Sequence, residues 1–297
     1  MRTPHKLGAY VLGLAALFAA ATGVGRIAGP AAAPPAHTDT HGAAAGHAEH
    51  PAGPAADLPG GLQVTEDGYR LQPLTTTLST TAAPFVFRIL GPDAHPVTAY
   101  TVSHDKELHL IVVRRDLTGF QHLHPQRQPD GTWTVPLAVA GAGQYRVFAD
   151  FRPAGHDRGL TLGVDVPAPG DYRPQALPAA GRTAVVDGYT VTLDGDLTPG
   201  TASKLTLTVT RDGRPVTDLQ PYLGAYGHLV ALRDGDLAYL HVHPEGTPGD
   251  GTTTAGPRVT FLAEVPSAGA YRLFLDFQHD GVVRTAAFTA VAGPAHS

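Results

Sequence analysis

Three histidines occupy matching places in two halves of the chain. The segment PVTAYTVSHDKELHLIVVRRDLTGFQHLHP, residues 96–125, aligns without a gap on PVTDLQPYLGAYGHLVALRDGDLAYLHVHP, residues 215–244. His109, His122 and His124 therefore match His228, His241 and His243. Imidazoles gathered in threes suit a borderline transition ion such as zinc or copper(II), and an H-x-H on one strand facing a histidine on its neighbour is a compact way to gather them. The expectation is a duplicated metal-binding module with one three-histidine site per copy. Cysteine is absent and Met1 is the only methionine, so thiolate and thioether ligands are excluded and the ion must be held by nitrogen and oxygen.

Positioning these residues requires a hairpin in each copy. Asp234-Gly235 between apolar runs signals a two-residue turn. That turn sets His228 across from His241, with His243 two residues along on the same face. The same count in the first copy sets His109 across from His122, and Glu107 across from His124. A four-residue loop over Asp116–Gly119 would instead place His124 across from Ile111 and leave His109 diagonal to it, whereas a three-residue loop would turn His109 to the other face. Glu107 is thus a candidate carboxylate ligand that makes the first site the tighter one, since Tyr226 holds the matching place in the second copy.

Other residues read as supporting parts. Asp150 and Asp276 can orient a histidine through its second nitrogen. His156 and His279 follow the matched Asp-Phe pairs and can approach from loops, while His104, matched by Leu223, reads as a surface residue. Tyr145 and Tyr271 each stand two residues after a glycine near the start of a strand, the place of a tyrosine corner.

Short apolar runs between turn signals recur through both halves, and no helical period of useful length competes with them. The fold class is all-β: two tandem antiparallel β-sandwiches of immunoglobulin-like or cupredoxin-like type. Repeat 1 is expected over residues 62–167, a Pro/Gly/Ala-rich linker over 168–182 and repeat 2 over 183–292. The duplication runs past the histidines, since GAGQYRVFADF ending at Phe151 matches SAGAYRLFLDF ending at Phe277. The second copy carries an insertion in Glu245–Pro257.

Arg2 and Lys6 precede an uncharged, mostly apolar stretch, Leu7–Gly25. That layout directs export, and the stretch approaches the roughly 20 residues that span a bilayer, so residues 1–26 are expected to be an uncleaved membrane anchor with the rest outside the cytoplasm. A cleaved signal and a secreted product is the alternative. Residues 27–61 read as a flexible Ala/Pro/His-rich tether, with His37, His41, His47 and His50 as loose ligands at most. The net charge of −5 is dispersed over 297 residues without a basic stripe, which argues against a nucleic-acid partner. Abundant Arg, Ala, Gly and Pro with few lysines suggests a high-GC bacterial coding sequence.

With this anchor, the His-bearing tether and the paired segments HDKELHLIVVRRDLTGFQHLHP and YGHLVALRDGDLAYLHVHP, the chain resembles membrane-anchored extracytoplasmic proteins of high-GC Gram-positive bacteria described as heavy-metal-binding-domain or hypothetical secreted proteins. The resemblance covers nearly the whole chain. It implies a location and an architecture, and it assigns no ligand. The expected function is non-enzymatic handling of copper(II) or zinc, with a metal-donor or acceptor protein as an unidentified partner. Two alternatives remain: a zinc hydrolase or hydratase using an open coordination position, and a metal-free adhesive or scaffold sandwich.

Overall fold

The apolar runs form strands, and the strands pair antiparallel throughout. A computed structural model describes residues 58–240 and 242–293, all within a compact unit that begins at Ala55. The expected anchor, most of the expected tether and His241 lie outside the described residues. Among the described residues no helix is long and apolar enough to cross a membrane.

The first copy contains β1 (Thr65–Glu66), β2 (Tyr69–Pro73), β3 (Ala83–Leu90), β4 (Leu108–Arg114), β5 (Gln121–Leu123), β6 (Gln126–Arg127), β7 (Thr132–Leu137), β8 (Gly143–Phe151) and β9 (Leu160–Ala168). They make two sheets, β1-β2-β3-β7-β6 and β5-β4-β8-β9. The second copy contains β10 (Thr183–Val186), β11 (Tyr189–Asp194), β12 (Ala202–Arg211), β13 (Arg214–Pro215), β14 (His228–Arg233), β15 (Tyr239–Leu240), β16 (Val242–Pro244), β17 (Arg258–Glu264), β18 (Gly269–His279) and β19 (Val282–Ala292). Its sheets are β10-β11-β12-β17-β16, with β13 on β12, and β15-β14-β18-β19. Each pair of sheets encloses its own core, around Phe87, Trp133 and Tyr145 in the first copy and around Tyr189, Phe261 and Tyr271 in the second. Both expected tyrosine corners are present: Tyr145 Oη donates to Gly141 O at 2.9 Å, and Tyr271 Oη to Ser267 O at 2.7 Å.

A third cluster joins the copies. Every residue of β4 is buried. Alternation sends Leu108, Leu110 and Val112 into the first core and Ile111 and Val113 out of the opposite face. In β14, likewise, Leu229 and Ala231 face the second core while Val230 and Leu232 face out. These outer faces meet in a seam with Leu117, Phe148, Leu237, Tyr239 and Phe274. The seam has approximate two-fold character, because Phe120 stacks on Phe274 at 4.0 Å and its counterpart Tyr239 packs on Phe148 at 5.6 Å. Each buried side chain of this size contributes roughly 1.5–3 kcal/mol, so the copies are joined by more than their linker.

The N-terminal edge of the described residues enters the same seam. Gly60 O accepts from Tyr239 N at 2.9 Å, and Gly61 N donates to Thr161 O at 2.7 Å. Arg146 Nη2 donates to both Gly61 O and Leu62 O. Gly61 has φ 74°, and a Cβ there would lie 2.5 Å from the Phe148 ring, so a glycine is required. The expected tether boundary at residue 61 is therefore too late: Gly60 and Gly61 are packed between the copies rather than free.

Candidate metal centre

Both hairpins fold, but neither in the expected register. Ile111 pairs with His122, and Ala231 with Leu240, each two residues from the pairing a two-residue turn would give. The loops are longer, with Leu117 and Leu237 at φ 61° and 62°. A shift of two preserves the face. His109, Ile111, His122 and His124 thus share one side of the first sheet, and that side is the seam.

At one end of the seam the rings converge. Centroids of His109 and His122 lie 5.3 Å apart, His109 and His124 5.2 Å, and His122 and His124 4.9 Å. One nitrogen from each lies within 4.8 Å of the others. His228, the first residue of β14, stacks against His109 at 5.5 Å and lies 5.1 Å from His122. His109 is 4% exposed, and the His122 side chain is 2% exposed.

Hydrogen bonding fixes where the lone pairs point. His109 Nε2 lies 3.0 Å from Ser103 O, a carbonyl that only accepts, so this nitrogen carries the proton. His122 Nδ1 lies 2.8 Å from Asp276 Oδ2, whose other oxygen accepts from Thr285 Oγ1, so His122 donates there. With those protons assigned, His109 Nδ1 and His122 Nε2 face each other at 3.1 Å, where one shared proton makes a hydrogen bond and a metal ion would take a lone pair from each. His124 Nε2 and His228 Nδ1 are shielded from solvent and have no hydrogen-bond partner, although the His228 ring as a whole is only half-buried.

Burial keeps His109, His124 and His228 neutral. It lowers His109 to about 4, opposed by the hydrogen bond to Ser103 and reinforced by His122, His104 and Lys106. Burial likewise lowers His124 to about 3, and holds His228 well below the usual histidine value, with neighbouring imidazoles adding to each shift. Neutral imidazole is the form that ligates a metal.

Among the described residues, His228 and His243 of the expected second triad are not brought together in this way. The chain leaves the β14 sheet after Leu240 and continues as β16 in the opposite sheet, where His243 pairs with Leu262. His243 is exposed there, while its presumptive partner His228 faces the first-copy cluster. His241 is outside the described residues. Glu107 is not a ligand in this arrangement, because Arg127 Nε and Nη2 each donate to its carboxylate at 3.0 Å. The strand register carries His124 away from it.

The supporting aspartates separate. Asp276 orients His122, a histidine of the other copy, whereas the half-buried Asp150 is bonded to Tyr239 and Thr161 and is raised to about 6 by desolvation, against the lowering effect of His122 and those two bonds. His156 bonds Arg158 O, and His279 bonds Tyr189 Oη and Asp218, both away from the cluster. His104, read as a surface residue, is instead beside it, 5.1 Å from His228 and 6.0 Å from His109. Its turn places it there: His104 and Asp105 both have positive φ, as do Leu223 and Gly224 in the second copy. The sequence signal was the shared turn rather than a shared residue type.

The chain belongs to the family of the domain of unknown function DUF8832, whose model matches it twice, over residues 63–168 and 184–293. No curated protein matches it. Among solved structures it is similar to InvD of Yersinia pseudotuberculosis, at 14% identity over 78% of this chain and 59% of that one, with a TM-score of 0.25. It is also similar to titin A168169, at 13% identity over 74% and 93% with a TM-score of 0.19, and to a marsupial T cell receptor, at 11% over 75% and 62% with a TM-score of 0.22. The chain spans less than two thirds of the InvD and receptor structures.

Proposed function

We propose that this tandem of DUF8832 domains binds a divalent transition ion, zinc or copper(II), at His109, His122 and His124, and that it handles the ion without catalysing a reaction. The observation that carries the reading is the facing pair His109 Nδ1 and His122 Nε2 at 3.1 Å, on rings whose other nitrogens donate to Ser103 O and Asp276. Two ligand nitrogens about 2.0–2.1 Å from one tetrahedral ion stand roughly 3.3 Å apart, close to the separation seen. Asp276 supplies the negative charge, one hydrogen bond out, that a buried dication needs. As part of the same reading, Arg2, Lys6 and Leu7–Gly25 tether the tandem to the membrane and place it outside the cytoplasm.

Metal analysis and calorimetric titration of the full chain, purified without a polyhistidine tag, test this. Saturable zinc or copper(II) binding that disappears when His122 and His124 are both replaced by Gln is the expected result. Titrations that leave the double variant indistinguishable from the parent would sink the site, and retention of folded protein with no saturable binding at all would leave the tandem as a scaffold.

A further inference from the structure

The seam contains one more suitably placed donor than a three-histidine site uses. We propose that His228, from the second copy, supplies a fourth ligand, so that the two copies hold a single ion jointly in a closed four-imidazole sphere. This rests on the metal-binding reading above and adds to it the number of ions, their coordination and the part played by the second copy.

Two of the three separations that link His228 to the triad match those within it. In a tetrahedral site with metal–nitrogen bonds near 2.0–2.1 Å, imidazole centroids stand on the order of 5 Å apart. The separations from His228 to His109 and His122 are 5.5 and 5.1 Å, against 4.9–5.3 Å within the triad. His228 Nδ1 is buried without a partner, as is His124 Nε2, and a buried imidazole nitrogen left unpaired costs stability unless something occupies it. The cluster therefore offers four candidate ligand nitrogens, His109 Nδ1, His122 Nε2, His124 Nε2 and His228 Nδ1.

The backbone of the second copy makes this a rigid contribution. His228 and Asp276 are cross-strand partners on β14 and β18. One rung of that ladder thus delivers a ligand, His228, together with the carboxylate that orients another ligand, His122. A sphere closed by four protein nitrogens has no place for a reacting water, which is the arrangement of structural rather than catalytic zinc. Neutral nitrogen donors also disfavour magnesium and calcium, which require oxygen.

Cobalt(II) added to the metal-free full chain is the probe, because its visible absorption is intense in four-coordinate sites and faint when water raises the coordination number. The expected result is one equivalent of tetrahedral cobalt per chain. His228→Gln should retain a triad-bound ion, shift the visible bands as an oxygen replaces one nitrogen donor and weaken binding at least about tenfold, while His243→Gln should change neither. Thermal melting of the metal-free variants confirms that each is folded. An unchanged spectrum and affinity in a folded His228→Gln chain would overturn the fourth ligand and leave the triad standing, as would two equivalents of tetrahedral cobalt. Failure of the parent chain to bind cobalt or zinc would overturn the metal reading itself.

Discussion

The two hairpins begin with the same three histidines and end differently, and the difference lies in where each strand changes sheets. In the first copy β5 stays beside β4 through Leu123, and the chain joins the opposite sheet only at Gln126. In the second copy the equivalent strand leaves after Leu240 and is paired in the opposite sheet by Val242. That is three positions earlier in the aligned numbering, early enough to carry His243 away. The aspartates diverge in the same sense: Asp276 grips His122 across the seam, while Asp150 is bonded to Tyr239. Among the described residues the duplicated motif has thus produced one composite histidine cluster, with most imidazoles from one copy and the orienting carboxylate from the other.

The sharpest way to break this comparison is to remove histidines in turn. Replacing His122 and His124 by Gln should abolish saturable metal binding, whereas replacing His243, which lies on the opposite sheet, should leave it intact; titration calorimetry distinguishes the two, and equal losses would restore the symmetric arrangement. The seam comes next. Phe274→Ala removes the ring that stacks on Phe120 at 4.0 Å and should destabilise the metal-free protein by about 3–5 kcal/mol, measured by urea unfolding; a change below about 1 kcal/mol would mean that the copies do not depend on this contact.

Smaller effects sharpen the contrast between the aspartates. Asp276→Asn leaves His122 without its anionic partner and should weaken metal binding by about 10–100-fold, while Asp150→Asn should alter it no more than about twofold. Competition against a chromogenic chelator would measure both, and a ranking in the opposite order would assign the orienting role to Asp150.

The metal-free protein should also lose stability on acidification. His109 and His124 are lowered to about 4 and about 3 by burial, below the unfolded value near 6.5. Between these limits the unfolded chain binds more protons than the native one, so stability is fully present above about 6.5 and falls as pH drops toward 4. Asp150, raised to about 6, works the other way, gaining stability as it is protonated below that value. Replacing both His109 and His124 by Gln should flatten the net decline between pH 7 and pH 5 in thermal melts; an undiminished slope would place the titration elsewhere.

Much of the site was legible because strand alternation is insensitive to a shift of two. The turn at Asp234-Gly235 was misjudged, yet His109, His122 and His124 still share a face. What sequence could not supply was the identity of the surface covering that face. Ile111, Val113, Val230 and Leu232 announce strands apolar on both sides, but the same pattern fits burial under a helix, a loop or another subunit. Glu107 was misassigned for a related reason: its partner Arg127 lies on β6, beyond the sheet crossing, where counting along one hairpin does not reach. His104 escaped notice because Leu223 breaks the repeat in residue type while preserving its backbone turn.

The glycines at the entrance to the seam have a mechanical consequence. Gly60 is bridged to Tyr239 of the second copy, and Gly61 to Thr161 of the first. Tension applied to the chain upstream of Leu58 would therefore reach the junction between the copies before it reached either core. Its line of force passes through Tyr239, the residue that bonds Asp150 and packs on Phe148. A pull from that end loads the joint itself, and the sandwiches bear it only afterwards.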